Sequence, residues 1–255
     1  MMVMISRRNF LFFTLGLAAH LSSGLKLSYG SRYPHFFFTQ LKYRSEEWDP
    51  NPLFLEAIVE ELELRTSIDA RRERLVMEPT DPDLFFSPFL YMAGRSAFES
   101  FTRQERETLR RFLTHGGFLF AENTIGARGA GFDRSFREEM KALLPEAELK
   151  PLSRDHSVYQ SFYLIEGIGG RQRVSPFLEG AVLDAWTPVI YSHNDLSGAW
   201  ARDRYGKWVH ECTPGGEAQR EAAFKDGINI IVYSLTADYK KDVIHHPFIQ
   251  KRRNV

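Results

Sequence analysis

The order of apolar runs and helical segments along this chain constrains its fold more than any other feature. Short apolar runs at 35–41, 84–90 and 118–121 each precede a segment with helical character, and these segments begin near Leu53, Thr102 and Asp133. Strands that alternate with helices form parallel sheets with helices on both faces. The runs are continuously apolar, as strands covered on both faces require. We therefore predict an α/β fold with three layers and a mostly parallel sheet.

Local signals mark where several of these elements begin. The segment Asp49-Pro50-Asn51-Pro52 predicts the start of the first helix. Thr102 followed by Glu105 predicts a capping box at the second helix. In the second half, the run 186–192 predicts another strand. The spacing in 217–235 predicts a helix, with a helix followed by a strand as the alternative, because its centre is rich in β-branched residues.

The first residues resemble an export signal. Ser6-Arg7-Arg8-Asn9-Phe10-Leu11 matches the twin-arginine pattern, and an apolar run and the small residues Ser22-Ser23-Gly24 follow it. The apolar run of about ten residues is shorter than the roughly 20 that cross a bilayer. We expect a signal peptide over 1–30, one α/β domain over 31–255, a periplasmic location and no transmembrane helix in the mature chain.

Charge and cysteine content exclude some classes of partner and of stabilisation. Lys and Arg together number 33, as do Asp and Glu, so no field of one sign exists to attract nucleic acid. Cys212 is the only cysteine, so an exported form has no internal disulfide and its core must provide the stability. The partners that this composition leaves open are other envelope proteins and a small polar ligand.

Polar groups follow three predicted strands, at the edge where open parallel sheets bind ligands. Lys42-Tyr43-Arg44 follows the first strand, Glu122-Asn123 the third, and His193-Asn194-Asp195 the strand 186–192. A further polar and aromatic segment begins at Asp155-His156. The candidate ligand-binding residues are Glu122, Asn123, His156, Tyr159, His193, Asn194 and Asp195.

Three other kinds of site lack the motif that they need. The glycine-spaced loop 126–131 could cradle an anion, but it has neither a dinucleotide fingerprint nor a P-loop, so we predict a flexible connection. His156, His193, His245 and His246 have no metal-binding spacing, which favours metal-free roles, and the cofactor stays open. Cys212 lies near His210, but no strand-to-helix elbow precedes it, so we do not predict a nucleophile.

Five segments together resemble the bacterial domain-of-unknown-function family numbered 4159, over nearly all of the mature chain. They are Phe38-Thr39 with Tyr43, then 116–119, 155–163, 191–196 with Trp200, and 227–230 with 233–236. The resemblance implies a flavodoxin-like fold similar to class I glutamine amidotransferase-like domains, and often an extracytoplasmic location. Amidotransferases carry a cysteine nucleophile after a central strand. Here Glu122-Asn123-Thr124 follows that strand, so we do not expect glutamine hydrolysis.

Three functions are open at this point. A non-catalytic binding or assembly domain in the periplasm accounts for the missing nucleophile and the missing metal spacing. A hydrolase acting on a sugar or peptide would use Glu122, His156 and Asp195 as acid–base groups. A metal- or cofactor-binding protein, loaded before export, is the third. Convergence of His156, His193 and Asp195 at one edge favours the last two functions, and their separation favours the first.

Overall fold

The computed structural model describes residues 35–184 and 186–236. The segment predicted to be a signal peptide lies outside these ranges, as do His245 and His246. None of the helices within the described ranges is both long and apolar enough to cross a membrane.

The core of the fold is a seven-stranded, mostly parallel sheet. Its order is β2-β1-β3-β4-β7-β6-β5. The five strands from β2 to β7 run parallel, whereas β6 is antiparallel to both β7 and β5. This arrangement confirms the predicted α/β fold. The strands are β1 (Thr39–Leu41), β2 (Leu75–Met77), β3 (Phe89–Gly94), β4 (Phe118–Asn123), β5 (Leu149–Pro151), β6 (Glu179–Leu183) and β7 (Trp186–Ser192).

Helices cover both faces of the sheet, which completes the three layers. The helices are α1 (Leu55–Arg65), α2 (Arg103–Thr114), α3 (Gly131–Leu143), α4 (Leu196–Trp200) and α5 (Gly216–Thr236), with 3-10 turns at Pro82–Phe86 and Ser157–Gln160. One apolar cluster packs α1, α4 and α5 against one face of the sheet, for example through Trp200. The other packs α2 and α3 against the opposite face, for example through Phe112. Alternate residues of each central strand point into the two clusters, as in a doubly covered sheet.

Several predicted elements have the expected ends. The strand 186–192 is β7, and the segment 217–235 lies within one continuous helix, α5, so the alternative of a helix followed by a strand is wrong. The capping box at α2 is present: Glu105 N donates to Thr102 Oγ1 at 3.3 Å, and Thr102 N donates to Glu105 Oε2 at 2.6 Å. These features depend on local spacing, which the sequence displays directly.

The predicted strands at 35–41 and 84–90 are partly wrong. In the first, only Thr39–Leu41 forms ladder pairs. In the second, Pro82–Phe86 is a 3-10 turn because the Asp81 carboxylate accepts a 2.9 Å hydrogen bond from Asp83 N, and Pro82 suits a first turn. The strand begins after Pro88 and continues to Gly94, so the residue that leaves it is Arg95. The short strands β2, β5 and β6 were not predicted.

Candidate functional site

Loops after four adjacent parallel strands meet at one edge of the sheet. These strands, in spatial order, are β1, β3, β4 and β7, and their carboxyl ends all point to this edge. The chain leaves β1 toward β2 on one side and leaves β3 toward β4 on the other, so the strand order reverses between β1 and β3. Such a reversal opens a crevice between the loops, and ligands of open α/β sheets bind there. Here we call this region the loop edge.

The Glu122 side chain lies at the base of the loop edge and is fully buried. Its Oε1 accepts a 2.7 Å hydrogen bond from Tyr91 Oη and a 3.2 Å bond from Ser197 N. Its Oε2 accepts a hydrogen bond from Leu196 N. The carboxylate therefore holds the start of α4 against the middle of β3 and the end of β4.

The environment of Glu122 favours its protonated form. Burial raises the pKa of Glu122 to about 7, and the nearby negative charge of Asp195 acts in the same direction. Hydrogen bonds from Tyr91, Ser197 and Leu196 favour the charged form and oppose this shift. A carboxyl group with a pKa near neutrality has the protonation behaviour of a general acid or base, but a substrate must also reach it.

Asp195 turns the chain from β7 into α4. Its backbone is left-handed, with φ 56°, and its Oδ1 accepts hydrogen bonds from Gly198 N at 3.1 Å and from Asn51 Nδ2 at 2.7 Å. Its Oδ2 accepts a hydrogen bond from Arg171 Nε. Asp and Asn adopt left-handed backbone more readily than most residues, because their short polar side chains bond locally. The carboxylate thus joins the loop after β1 to the turn after β7.

Two arginines link the same loops. Arg171 donates through Nε to Asp195 and through Nη2 to Thr124 O at 2.8 Å, so it connects the turns after β7 and β4. Arg95 donates through Nη2 to Pro50 O at 2.8 Å, so it connects the loops after β3 and β1. Both arginines are only partly buried. The rim of the loop edge is therefore cationic above a buried carboxylate layer.

His193 turns away from Asp195 into a buried ionic cluster on the α3 side. Its Nε2 lies 3.1 Å from Glu179 Oε1 and 3.4 Å from Arg137 Nη2. Burial opposes ionisation of Glu179, but hydrogen bonds from His193 and Arg137 outweigh it and lower the Glu179 pKa. Nδ1 of His193 has no hydrogen-bond partner among the described residues. The imidazole is fully buried, so it is closed to a ligand.

Two asparagines of the candidate set hold loops rather than face solvent. Asn194 Oδ1 accepts hydrogen bonds from Val174 N and Ser175 N, at 2.9 and 2.7 Å, and its Nδ2 donates to Ser175 O at 2.8 Å. Asn123 Nδ2 donates to Ala127 O at 2.7 Å within the loop that follows β4. Both side chains are buried, and their hydrogen-bonding groups serve the backbone.

His156 and Tyr159 do not share the environment of Asp195. His156 Nε2 lies 2.9 Å from Thr187 Oγ1, at the beginning of β7, whereas Asp195 follows the end of that strand. Tyr159 Oη accepts a 2.9 Å hydrogen bond from Leu178 N, and burial raises its pKa to about 12. His156, His193 and Asp195 therefore do not converge, which favours the first of the three functions. Only Glu122 and Asp195 lie together.

The remaining motifs carry no reactive group. In the glycine-spaced loop, Gly129 N donates a 2.6 Å hydrogen bond to the Asp133 carboxylate. This amide is therefore not free to bind an anion. Cys212 is buried, and burial raises the pKa of its thiol, which keeps it protonated. Within 35–184 and 186–236, no group of three or more His, Cys, Asp or Glu residues is placed to hold a metal ion.

Arg220 links His210 to α4, which follows the loop edge, because it donates to His210 O at 2.7 Å and to Ala199 O. Burial and the positive charges of Arg171, Arg95 and Arg220 lower the His210 pKa, with the Asp195 charge opposing them. His210 itself is half-buried. Sequence reasoning noted His210 only as a neighbour of Cys212 and did not single out Arg95, Arg171 or Arg220.

Comparisons with known proteins bear on the whole of this region. A family model described as Domain of unknown function (DUF4159) matches residues 37–235, which include every residue of the loop edge named above. None of the curated proteins matches the chain.

Proposed function

Because the chain belongs to the DUF4159 family, whose description names no activity, we propose from its geometry that it is a non-catalytic binding domain. The single observation that carries the proposal is the hydrogen bonding of Glu122 and Asp195. Both carboxylates are buried, and their oxygens accept hydrogen bonds from the protein itself. The two carboxylates hold the loops of the loop edge in place, and a ligand would contact the outer surface of these loops.

The lack of a cysteine at the end of β4 supports the same proposal. A class I amidotransferase-like fold would carry its cysteine at the end of its central strand, and at the end of β4 this chain has Glu122-Asn123-Thr124. The thiol of Cys212 is buried and protonated. A domain of that fold without its nucleophile keeps a concave edge that can recognise a ligand or another envelope protein.

A ligand screen tests the proposal. The full chain is screened by thermal shift against sugars, peptides and carboxylic and phosphorylated metabolites, because a ligand that binds only the native state raises the melting temperature. Each compound that raises it is then incubated with the protein and recovered for mass spectrometry. We expect saturable stabilisation and unchanged ligand. Repeated conversion of a ligand, or the absence of any stabilising ligand or protein partner, would overturn the proposal.

A hydrolase is the second candidate, and the pKa of Glu122 favours it. A carboxyl group with a pKa of about 7 next to a second carboxylate is a common acid–base arrangement. Its access to substrate is the weak point, because the side chain is fully buried. In the conversion assay above, product formation that Glu122→Gln abolishes would favour the hydrolase.

We also propose that the protein is exported through the twin-arginine route. The support is the segment Ser6–Leu11 with the apolar run that follows it, and the single cysteine, which suits a protein folded before export. Replacement of Arg7 and Arg8 by lysine tests this proposal. We expect the wild-type chain in the periplasmic fraction and the double variant in the cytoplasm. Equal distribution of the two chains would contradict export by this route.

A further inference from the structure

We propose that Arg95 and Arg171, together with the imidazole of His210, bind an oxyanion, a phosphate or carboxylate group of the ligand. This inference rests on the proposed binding function and names the chemistry of the ligand. It concerns the outer rim of the loop edge, above the buried carboxylates.

Hydrogen bonds connect the two arginines through neighbouring loops of the loop edge. Thr124 N donates to Gly94 O at 3.0 Å, next to Arg95 in the chain. Thr124 O accepts from Arg171 Nη2 at 2.8 Å. Arg95 donates to Pro50 O, and the next residue, Asn51, donates to the Asp195 carboxylate that also accepts from Arg171, so a short path of hydrogen bonds links the two side chains. A backbone carbonyl already holds each guanidinium group in place. Ligand binding therefore does not have to immobilise either side chain, which lowers the entropic cost of binding.

The Arg95 guanidinium group has N–H donors that no acceptor in the described part of the chain uses. A guanidinium group has five N–H donors, and Arg95 uses Nη2 on Pro50 O. No carboxylate of the described residues forms an ion pair with Arg95, unlike most arginines of this fold. A partly exposed arginine at the reversal of strand order, without an acidic partner, suits bidentate recognition of phosphate or carboxylate.

Arg171 extends the same positive region, and His210 contributes an imidazole as a hydrogen-bond donor. The Asp195 carboxylate orients Arg171 and balances part of its charge, while the Arg171 side chain remains 25 % exposed. Arg220 donates at 2.7 Å to His210 O and so holds the backbone of His210 beside this region. The His210 ring makes no hydrogen bond to another described residue and is half-buried, so it is available to donate to an anion.

Calorimetric titration of the full chain tests the site. Inorganic phosphate and malonate are the probes, at constant ionic strength set with sodium chloride, since exposed charges are screened by salt. The test variant is Arg95→Gln, which removes the charge and keeps a donor for Pro50 O. The matched control is Arg103→Gln, whose side chain is 93 % exposed on α2. Arg95→Lys keeps the charge and loses the planar fork.

We expect saturable binding of at least one probe, weakened about tenfold or more by Arg95→Gln and unchanged by Arg103→Gln. Arg95→Lys should give intermediate affinity, and comparison of the two probes identifies the preferred group. Equal affinity of wild type and Arg95→Gln, or equal weakening by both glutamine variants, would overturn the site. Binding of neither probe would also overturn it. The binding function would still stand if the ligand screen finds a stabilising ligand without phosphate or carboxylate.

Discussion

Tyr91 Oη donates a 2.7 Å hydrogen bond to Glu122 Oε1 between two neighbouring strands, and both side chains are fully buried. The bond links the middle of β3 to the end of β4. Through Leu196 N and Ser197 N, the same carboxylate also fixes the start of α4. A phenol therefore supports a carboxylate that positions the turn containing Asp195.

Removal of this phenol should destabilise the fold. In Tyr91→Phe, Glu122 loses a donor in a site that water does not reach, and we expect a loss of roughly 1–3 kcal/mol in the free energy of unfolding. Urea denaturation measures it. The control is Tyr205→Phe, because Tyr205 is 71 % exposed and should change stability by less than about 0.5 kcal/mol. Equal stability of the two variants would mean that the hydrogen bond to Glu122 contributes nothing.

Glycine at position 198 leaves the space that the Asp195 carboxylate fills. A Cβ at this position would lie 2.6 Å from Asp195 Cγ, inside van der Waals contact. Gly198→Ala must therefore displace the side chain that pairs with Arg171, and we expect it to cost roughly 2 kcal/mol or more. The control is Gly167→Ala, where an added Cβ meets nothing within 4 Å. Thermal unfolding compares the two variants, and a tolerated Gly198→Ala would contradict the packing described here.

Asp226 should make stability depend on pH. Burial within α5 raises its pKa to about 8, and only Gly169 N, at 2.6 Å, favours the charged form. The folded-state pKa lies above that of an unfolded aspartate, so the stability contributed by the neutral carboxyl is complete below about pH 4 and is lost as pH rises through about 8.

Asp226→Asn removes this dependence. We expect the variant to be more stable than wild type at pH 8 by roughly 1–3 kcal/mol, with the difference shrinking toward pH 4. Denaturation over this pH range measures it. Glu148→Gln, at a side chain that is 75 % exposed, is the control and should leave the pH profile unchanged. A variant less stable than wild type at pH 8 would contradict the assigned protonation state.

Cys212 should be slow to react in the native protein. It is the only cysteine, it is buried, and burial raises the pKa of its thiol. We expect a disulfide-exchange reagent at pH 7.5 to label native protein at least about tenfold more slowly than protein unfolded in guanidinium. Rapid labelling of the native protein would indicate an accessible thiolate and would reopen nucleophilic catalysis at this residue.

The fold could be predicted from the sequence because its signals are local. Thr102 and Glu105 lie three residues apart and form the expected capping box, and the apolar run 186–192 is β7. Topology alone then places Glu122 and Asp195 at the same edge, because they lie at the carboxyl ends of two parallel strands that are direct neighbours. The prediction of these two as a pair needed no knowledge of side-chain contacts.

The rest of the candidate site could not be predicted, for physical reasons that differ between residues. The sequence does not indicate Arg95, because Pro82 and Pro88 obscure where β3 begins. The predicted strand 84–90 therefore ends before the observed end of β3 at Gly94. Arg171 lies in a segment without helical or strand periodicity. Asn51 reaches Asp195 across 144 residues of chain, a contact that no local pattern encodes. The position of His193 depends on long-range contacts, because its ring packs against Tyr191 and pairs with Glu179, whereas the Asp195 side chain pairs with Arg171.

Ligand conversion by wild type and Glu122→Gln, measured on samples whose binding is followed at the same time, tests the central claim most directly. The claim is that the buried carboxylates support a binding edge and perform no chemistry. We predict that both proteins bind a ligand from the screen with dissociation constants within about threefold of each other, and that neither converts it. Turnover by wild type that Glu122→Gln abolishes without loss of binding would contradict the claim.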